Sequence, residues 1–241
     1  MQDNRELFKF KQFEVNQAGC AMKINTDGVL IAAMSKHDVP NKILDIGTGT
    51  GLLALMVAQR NLNAGIDAVE LDQDAFSQAV DNVKDSPFFD KINLINSSIQ
   101  DFSLTYQYDC IITNPPFFQS GLLSPKAKKN QAHHATSLSF DELLYSLNRL
   151  VAADGRFNIL LPVDEAAIFS AKALESEWFL ARKLTLYHDK NKNPFRQLMT
   201  FKRKHLTENQ TFDEKLFIYE EDGKRYDSRF KQLMKDFYLI F

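Results

Sequence analysis

The sequence predicts an α/β fold: a doubly wound, mostly parallel sheet with helices on both faces. Three observations carry this expectation. From Lys42 onward, short apolar runs alternate with amphipathic segments of helical period. Two of the apolar runs end in loops whose residues cannot continue a strand. The last third alternates in a strand-like way around Asn191-Lys192-Asn193-Pro194, a hairpin signal.

Taken in order, Phe8, Phe10 and Phe13 suggest short extended pieces, and Asn25-Thr26-Asp27 reads as a cap before the apolar segment Val29–Met34. Ile43–Ile46 reads as a strand and Leu52–Arg60 as a helix. Ile66–Glu70 is a strand, followed by a helix over Gln73–Lys84 with Asp72 as its cap. Ile92–Asn96 and Tyr108–Thr113 are further strands. Leu143, Leu144, Leu147 and Leu150 recur at helical spacing in Phe140–Val151. A turn at Asp154-Gly155 leads into a strand over Phe157–Leu161 and a helix over Asp164–Glu175. Leu184–His188 and Gln197–Lys202 form the expected hairpin. Leu216–Tyr219 and Lys224–Tyr226 flank Glu220-Glu221-Asp222-Gly223 as a second possible hairpin, and Phe230, Leu233, Met234 and Phe237 mark a final amphipathic piece.

The 241 residues are 44% hydrophobic and 25% charged, an ordinary globular balance. No apolar run approaches the roughly 20 residues of a membrane span, and the charged start Met1–Glu6 has no signal-peptide character. Cys20 and Cys110 lie far apart and read as reduced thiols of a cytoplasmic protein. The five His and two Cys show no metal-ligand spacing, so no metal is expected. The formal net charge of −2 excludes a broad basic field; any nucleic-acid surface has to be a local patch.

The first of the two loops is Asp45-x-Gly47-x-Gly49-x-Gly51. Glycines let the chain turn tightly and let a ligand approach the backbone. The spacing differs from the GxGxxG of dinucleotide sites and lacks the P-loop lysine. An acidic residue before the glycines repels phosphate but suits an ammonium group, and S-adenosylmethionine carries an ammonium and a sulfonium without phosphate. Glu70, at the end of the next strand, is placed to accept hydrogen bonds from ribose hydroxyls.

The second loop, Asn114-Pro115-Pro116-Phe117, follows the strand Tyr108–Thr113. It presents acceptors beside an aromatic ring, which suits a flat group bearing an NH2. The Asn114 side-chain oxygen and the Pro115 carbonyl can accept the two hydrogens of a conjugated amine and favour its rehybridisation, while Phe117 stacks on its face. Acceptors placed where positive charge develops on nitrogen lower the barrier, and no strong general base is needed before attack. A nucleobase acceptor would have to be unpaired or flipped out. Lys126, Lys128, Lys129, His133 and His134 follow closely and are candidate phosphate contacts. Lys202-Arg203-Lys204-His205 is a second basic cluster, and Lys9, Lys11 and Lys23 a weaker third.

These residues resemble the class I methyltransferases with an NPPF/Y acceptor motif. Lys23–Ile31 before the first core strand, Ala132–Leu138 after the acceptor loop and Lys235–Leu239 near the end resemble the bacterial tRNA(Val) adenine-37 N6-methyltransferase family. The resemblance spans nearly the whole chain. It implies methylation of adenosine 37 in the anticodon loop of tRNA(Val), and a seven-stranded Rossmann-like sheet with an antiparallel final hairpin. It implies that Asp45, Gly47, Gly49, Gly51 and Glu70 hold S-adenosylmethionine, and that Lys23 and Asp27 close over it. Asn114, Pro115, Pro116 and Phe117 would hold the adenine. Class members often carry an Asp after the third strand. Ser98 stands there, leaving the Ile99 backbone or Asp101 for the cofactor's adenine side. The implied organisation is an N-terminal segment (1–40) closing over the cofactor, a core (41–205) and an extension (206–241) packed on the same domain. The same chemistry on a guanine 2-amino group of ribosomal RNA or on a protein glutamine amide is the nearest alternative. A catalytically inactive RNA-binding module and a nicotinamide oxidoreductase are more distant ones.

Overall fold

Strands and helices alternate from Lys42, as the sequence predicts. The structure, a computed structural model, describes residues 7–18, 26–34, 41–115, 138–204 and 211–241. The strands are β1 (Leu7–Lys9), β2 (Glu14–Asn16), β3 (Lys42–Ile46), β4 (Gly65–Glu70), β5 (Ile92–Asn96), β6 (Tyr108–Thr113), β7 (Val151–Leu161), β8 (Trp178–Tyr187), β9 (Pro194–Arg203) and β10 (Phe212–Phe217). The helices are α1 (Thr26–Met34), α2 (Leu52–Arg60), α3 (Gln73–Lys84), α4 (Phe140–Leu150), α5 (Val163–Glu175) and α6 (Ser228–Met234).

The main sheet runs β10-β8-β9-β7-β6-β3-β4-β5, and β1 and β2 form a separate antiparallel pair. All strands of the main sheet are parallel except β9, which pairs antiparallel with β7 and β8. The Asn191–Pro194 turn thus makes the expected hairpin. An eighth strand extends the expected seven: β10 adds in parallel to the outer edge of β8, with Leu216 opposite Leu186. The anticipated second hairpin is reduced to a single bridge, Tyr219 to Tyr226. Leu216 and Ile218 are buried, so residues 212–217 do better on the free β8 edge than in an isolated ribbon.

Burial on both faces explains the apolar runs. Ile43, Ile66, Cys110, Ile112 and Leu160 pack beneath α1 and α2, together with Phe230, Met234 and Phe237 from the C-terminal segment. Leu44, Ile46, Ile111, Phe157 and Ile159 face the opposite layer, where Leu143, Leu147, Phe169 and Trp178 fill the core. Burial pushes the Cys110 thiol up to about 11, so it is inert packing. Caps end the helices as their sequences suggest. Asp72 accepts from the Ala75 amide at 2.8 Å, and Ser139 with Glu142 forms a reciprocal capping box at the start of α4. Among the described residues, no helix is long and apolar enough to cross a membrane.

Gly155 sits where β7 leaves its register with β6. A Cβ there would lie 2.7 Å from the Val151 side chain and 2.8 Å from the Tyr108 carbonyl oxygen. Gly155→Ala is expected to cost about 1–3 kcal/mol through overpacking, read as a lower urea midpoint with unchanged slope.

Candidate active site

The parallel strands end on one rim, and the register fixes which loops share it. Ile46 of β3 is the partner of Thr113 of β6. The residues that follow, Gly47 and Asn114, therefore start from adjacent strands about 4.8 Å apart. The Thr113 hydroxyl donates to the Ile46 carbonyl at 3.0 Å and ties the two strand ends together. On the other side, Ile46 pairs with Val69, so Glu70 ends β4 beside the glycine loop.

The loop is held from three directions. The amides of Gly47 and Thr48 donate to the Val69 carbonyl at 2.9 and 3.1 Å. The Gly49 amide donates to Glu70 Oε2 at 2.8 Å, and the Thr48 hydroxyl donates to Asp45 Oδ2 at 2.7 Å. Gly47 and Gly49 have φ of 71° and 57°, a left-handed backbone that side-chain-bearing residues rarely adopt. A Cβ on either would meet nothing within 4 Å, so their faces are open to a ligand.

Asp45 is fully buried beneath this loop. Burial pushes its carboxyl up to about 7; the Thr48 hydroxyl opposes the rise and the neighbouring Glu70 charge adds to it. Its Oδ1 is buried and has no hydrogen-bond partner among the described residues. An orphaned acceptor on a carboxylate raised this far is what a cation would satisfy, and the donor set fits the ammonium of S-adenosylmethionine. Glu70 is already engaged on both oxygens, by the Gly49 amide at Oε2 and the Asp72 amide at Oε1. Each oxygen keeps a second acceptor site for a diol.

Asn114 is partly buried and Pro115 is buried. Asn114 Oδ1 is another buried acceptor without a partner among the described residues. Two unpartnered oxygens, Asp45 Oδ1 and Asn114 Oδ1, thus belong to adjacent strands of one rim. Among the expected site residues, Pro116, Phe117, Lys126, Lys128, Lys129, His133, His134 and Lys23 lie outside the described residues. Asp27 belongs to the first turn of α1.

In the loop after β5, the sequence points to Ile99 and Asp101 but not to the clamp that holds them. Ser98 donates its hydroxyl to Asp101 Oδ2 at 2.7 Å and accepts from the Asp101 amide at 3.1 Å, so a carboxylate is held near where the class carries its Asp. Ile99 is buried, and its carbonyl accepts from Arg149 Nη2 at 3.1 Å. Arg149 also donates to the Phe102 and Gln100 carbonyls. A guanidinium on α4 thereby clamps a loop some 50 residues upstream. Nothing in the local sequence marks Arg149, which lies on an amphipathic helix among ordinary surface charges.

Members of two of the expected basic clusters are engaged by the fold. Arg203 covers the Trp178 ring at 3.8 Å and donates to Asn148 and the Ser176 carbonyl. Because β9 is antiparallel, Lys202 and Arg203 lie at the end of the sheet opposite Asn114. Lys9 pairs with Glu14 at 2.8 Å, and Lys11 donates to the Lys235 and Phe241 carbonyls. Among the described residues, no group of three His, Cys, Asp or Glu is placed to hold a metal ion.

Comparison with known proteins adds to this geometry. Residues 23–138 match the family model described as the methyltransferase small domain. A tRNA1(Val) (adenine(37)-N6)-methyltransferase of Dyadobacter fermentans is 54% identical over 97% of this chain and 98% of its own length. A protein of the same description from Pedobacter heparinus is 38% identical over 98% of this chain and 100% of its own. Among solved structures, a predicted O-methyltransferase from Agrobacterium tumefaciens superposes with a TM-score of 0.68 over 88% of this chain and 96% of its own. A glycopeptide N-methyltransferase complexed with S-adenosyl-L-methionine gives 0.56 over 73% of this chain and 94% of its own. At 16% and 12% identity these two likenesses establish the class I methyltransferase fold and nothing finer.

Titration of Asp45 gives a test. Its folded-state value of about 7 lies above the ordinary 3.8, so the native state binds this proton more tightly than the unfolded chain does. The resulting stability is complete below pH 3.8 and is lost as pH rises through 7. Asp45→Asn is therefore expected to gain stability over the ligand-free wild type as pH is raised from about 4 to 8. Parallel pH dependences in urea unfolding would show that Asp45 is an ordinary carboxylate.

Proposed function

Because this chain belongs to the family of tRNA1(Val) (adenine(37)-N6)-methyltransferases, we propose that it transfers the methyl group of S-adenosyl-L-methionine to the N6 amine of adenosine 37 in tRNA1(Val). The observation that carries this reading is the pairing of Ile46 with Thr113, which sets Asn114, whose Oδ1 has no partner among the described residues, beside the glycine loop.

When bound, S-adenosyl-L-methionine supplies a methyl group made electrophilic by a positively charged sulfur. Asp45 takes its ammonium end, and the open faces of Gly47 and Gly49 admit it to the backbone. Gly51 starts α2 with a left-handed φ of 81°. The free acceptor sites of Glu70 suit ribose hydroxyls, and the Ile99 amide with the Ser98–Asp101 pair suits the adenine end. Lys23 and Asp27 belong to the segment 1–40, which closes over the cofactor. Residues 41–205 form the core and 206–241 an extension on the same domain.

On the acceptor side, Asn114 Oδ1 and the Pro115 carbonyl take the two hydrogens of the flipped adenine amine, and Pro116 and Phe117 hold its ring. These acceptors draw the nitrogen lone pair out of conjugation and stabilise the positive charge that grows on nitrogen during attack. Holding the amine in line with the methyl carbon contributes through orientation. Lys126, Lys128, Lys129, His133 and His134 supply phosphate contacts around the anticodon loop. A tRNA substrate and a buried, unoxidised Cys110 favour the cytoplasm.

Labelled cofactor incubated with total tRNA from a strain lacking this gene is expected to yield N6-methyladenosine in the anticodon loop of tRNA1(Val). Transfer to ribosomal RNA or protein instead would refute the substrate while keeping the chemistry. Asn114→Ala is expected to lower turnover by about 10²–10³-fold, the usual effect of removing one preorganised transition-state contact, with cofactor affinity nearly intact. Unchanged turnover would remove Asn114 from the reaction.

A further inference from the structure

A net charge of −2 requires the phosphate-binding surface to be local, and the fold engages Arg203, Lys9 and Lys11 of the basic clusters visible in the sequence. A different set of cations stays free. The chain leaves β10, turns through Glu220–Arg225 and descends along α6, forming a groove of about 640 Å³ lined by Lys224, Arg225, Lys231, Lys235, Ile240 and Phe241. The carboxylates nearby are committed elsewhere. Asp222 and Glu220 hold Arg225 at 2.7 and 3.0 Å. Asp227 caps α6 through the Arg229 and Phe230 amides, and Asp236 faces Arg60. Lys224, Lys231 and Lys235 have no carboxylate partner among the described residues, and no carboxylate side chain lines the groove.

The topology sets this groove relative to the acceptor. β10, β8, β7 and β6 are parallel, so the turn bearing Lys224 leaves the same rim as Asn114. Four strand spacings separate β6 from β10, which sets Lys224 roughly 20 Å from the acceptor along the sheet; α6 then runs away from the rim to the C-terminal end of α2, where Arg60 and Gln59 donate to the Leu233 and Asp236 carbonyls. The groove is thus too far for the target base and suitable for the backbone of the same RNA beyond the methylated loop.

We propose that the groove between the β10–α6 turn and the C-terminal segment binds the phosphodiester backbone of the tRNA, through Lys224, Lys231 and Lys235, outside the anticodon loop. The proposal rests on the tRNA reading above and adds where the rest of that molecule is held. Lys11 maintains the groove by bonding the Lys235 and Phe241 carbonyls, so its charge works in the fold and the other three lysines face the RNA.

The test compares full-length tRNA1(Val) with its isolated anticodon stem-loop, using wild type, the triple variant K224Q/K231Q/K235Q and the triple variant K224R/K231R/K235R. For full-length tRNA, the Gln variant is expected to bind about tenfold or more weakly, with the slope of log affinity against log salt shallower by about 2–3, as loss of three phosphate contacts predicts. Its turnover at saturating tRNA and its cofactor affinity stay at wild-type values, its affinity for the isolated stem-loop barely changes, and the Arg variant retains tRNA binding. An unchanged affinity and salt slope in the Gln variant would overturn the proposal. So would an equal loss in the Arg variant, which would assign the effect to packing. Binding is measured without catalysis. A wild-type chain that shows these binding differences yet transfers no methyl to tRNA therefore retains the groove and refutes the proposed reaction.

Discussion

The register between β3 and β6 is the constraint on which the site depends. A one-residue slip of β6 would turn Ile111 and Thr113 to the face that Ile43 and Asp45 occupy and would separate the glycine loop from Asn114. Three things hold it. The strands are buried on both faces, so their apolar residues fit only one alignment. The Thr113 hydroxyl bonds the Ile46 carbonyl at the last paired position. Asp109, at the other end of β6, accepts from the Asn41 and Lys42 amides at 2.8 and 3.0 Å. The alignment is thus pinned at both ends by side chains that bond across to the neighbouring strand's backbone.

Asp45 shows what the site costs the fold. A carboxyl group with one oxygen unpartnered among the described residues, buried beneath the glycine loop, works against the native state near neutral pH. A hydrophobic residue of similar size would pack there with less penalty. Its retention under a loop of left-handed glycines makes sense if a bound cation removes the penalty. Cofactor and fold then stabilise one another, and the ligand-free protein is the weaker form.

Much of this was legible in the sequence, for definite physical reasons. Strands buried on two faces must be apolar throughout and helices packed on one side must be periodic, so Tyr108–Thr113 and Gln73–Lys84 have the bounds their residues suggest, while Leu52–Arg60, buried nearly all round, reads as an apolar run ended by polar residues. Caps are local, and Asp72 behaves as one. What stayed hidden is non-local. The pairing of β10 depends on a free edge supplied by β8, not on residues 212–217 themselves. The Ser98–Asp101 bond, by contrast, is local, and Asp101 is readable in the sequence as the substitute for the missing carboxylate. Arg149 acquires its role only when α4 is laid beside the loop after β5. Basic clusters misled for the same reason: Arg203 and Lys11 look solvated in sequence, but the fold uses their donors internally, while Lys224, Lys231 and Lys235 are dispersed along the chain and gather only in three dimensions.

The order of strands also separates two routes into the molecule. Asp45, the glycines, Glu70 and the loop after β5 occupy the β3-β4-β5 half of the rim, whereas the lysine groove starts beside β10 and runs down α6 away from the rim. On the proposed reading, cofactor and RNA backbone would be held by separate parts of the chain, so a change in one set of contacts need not disturb the other.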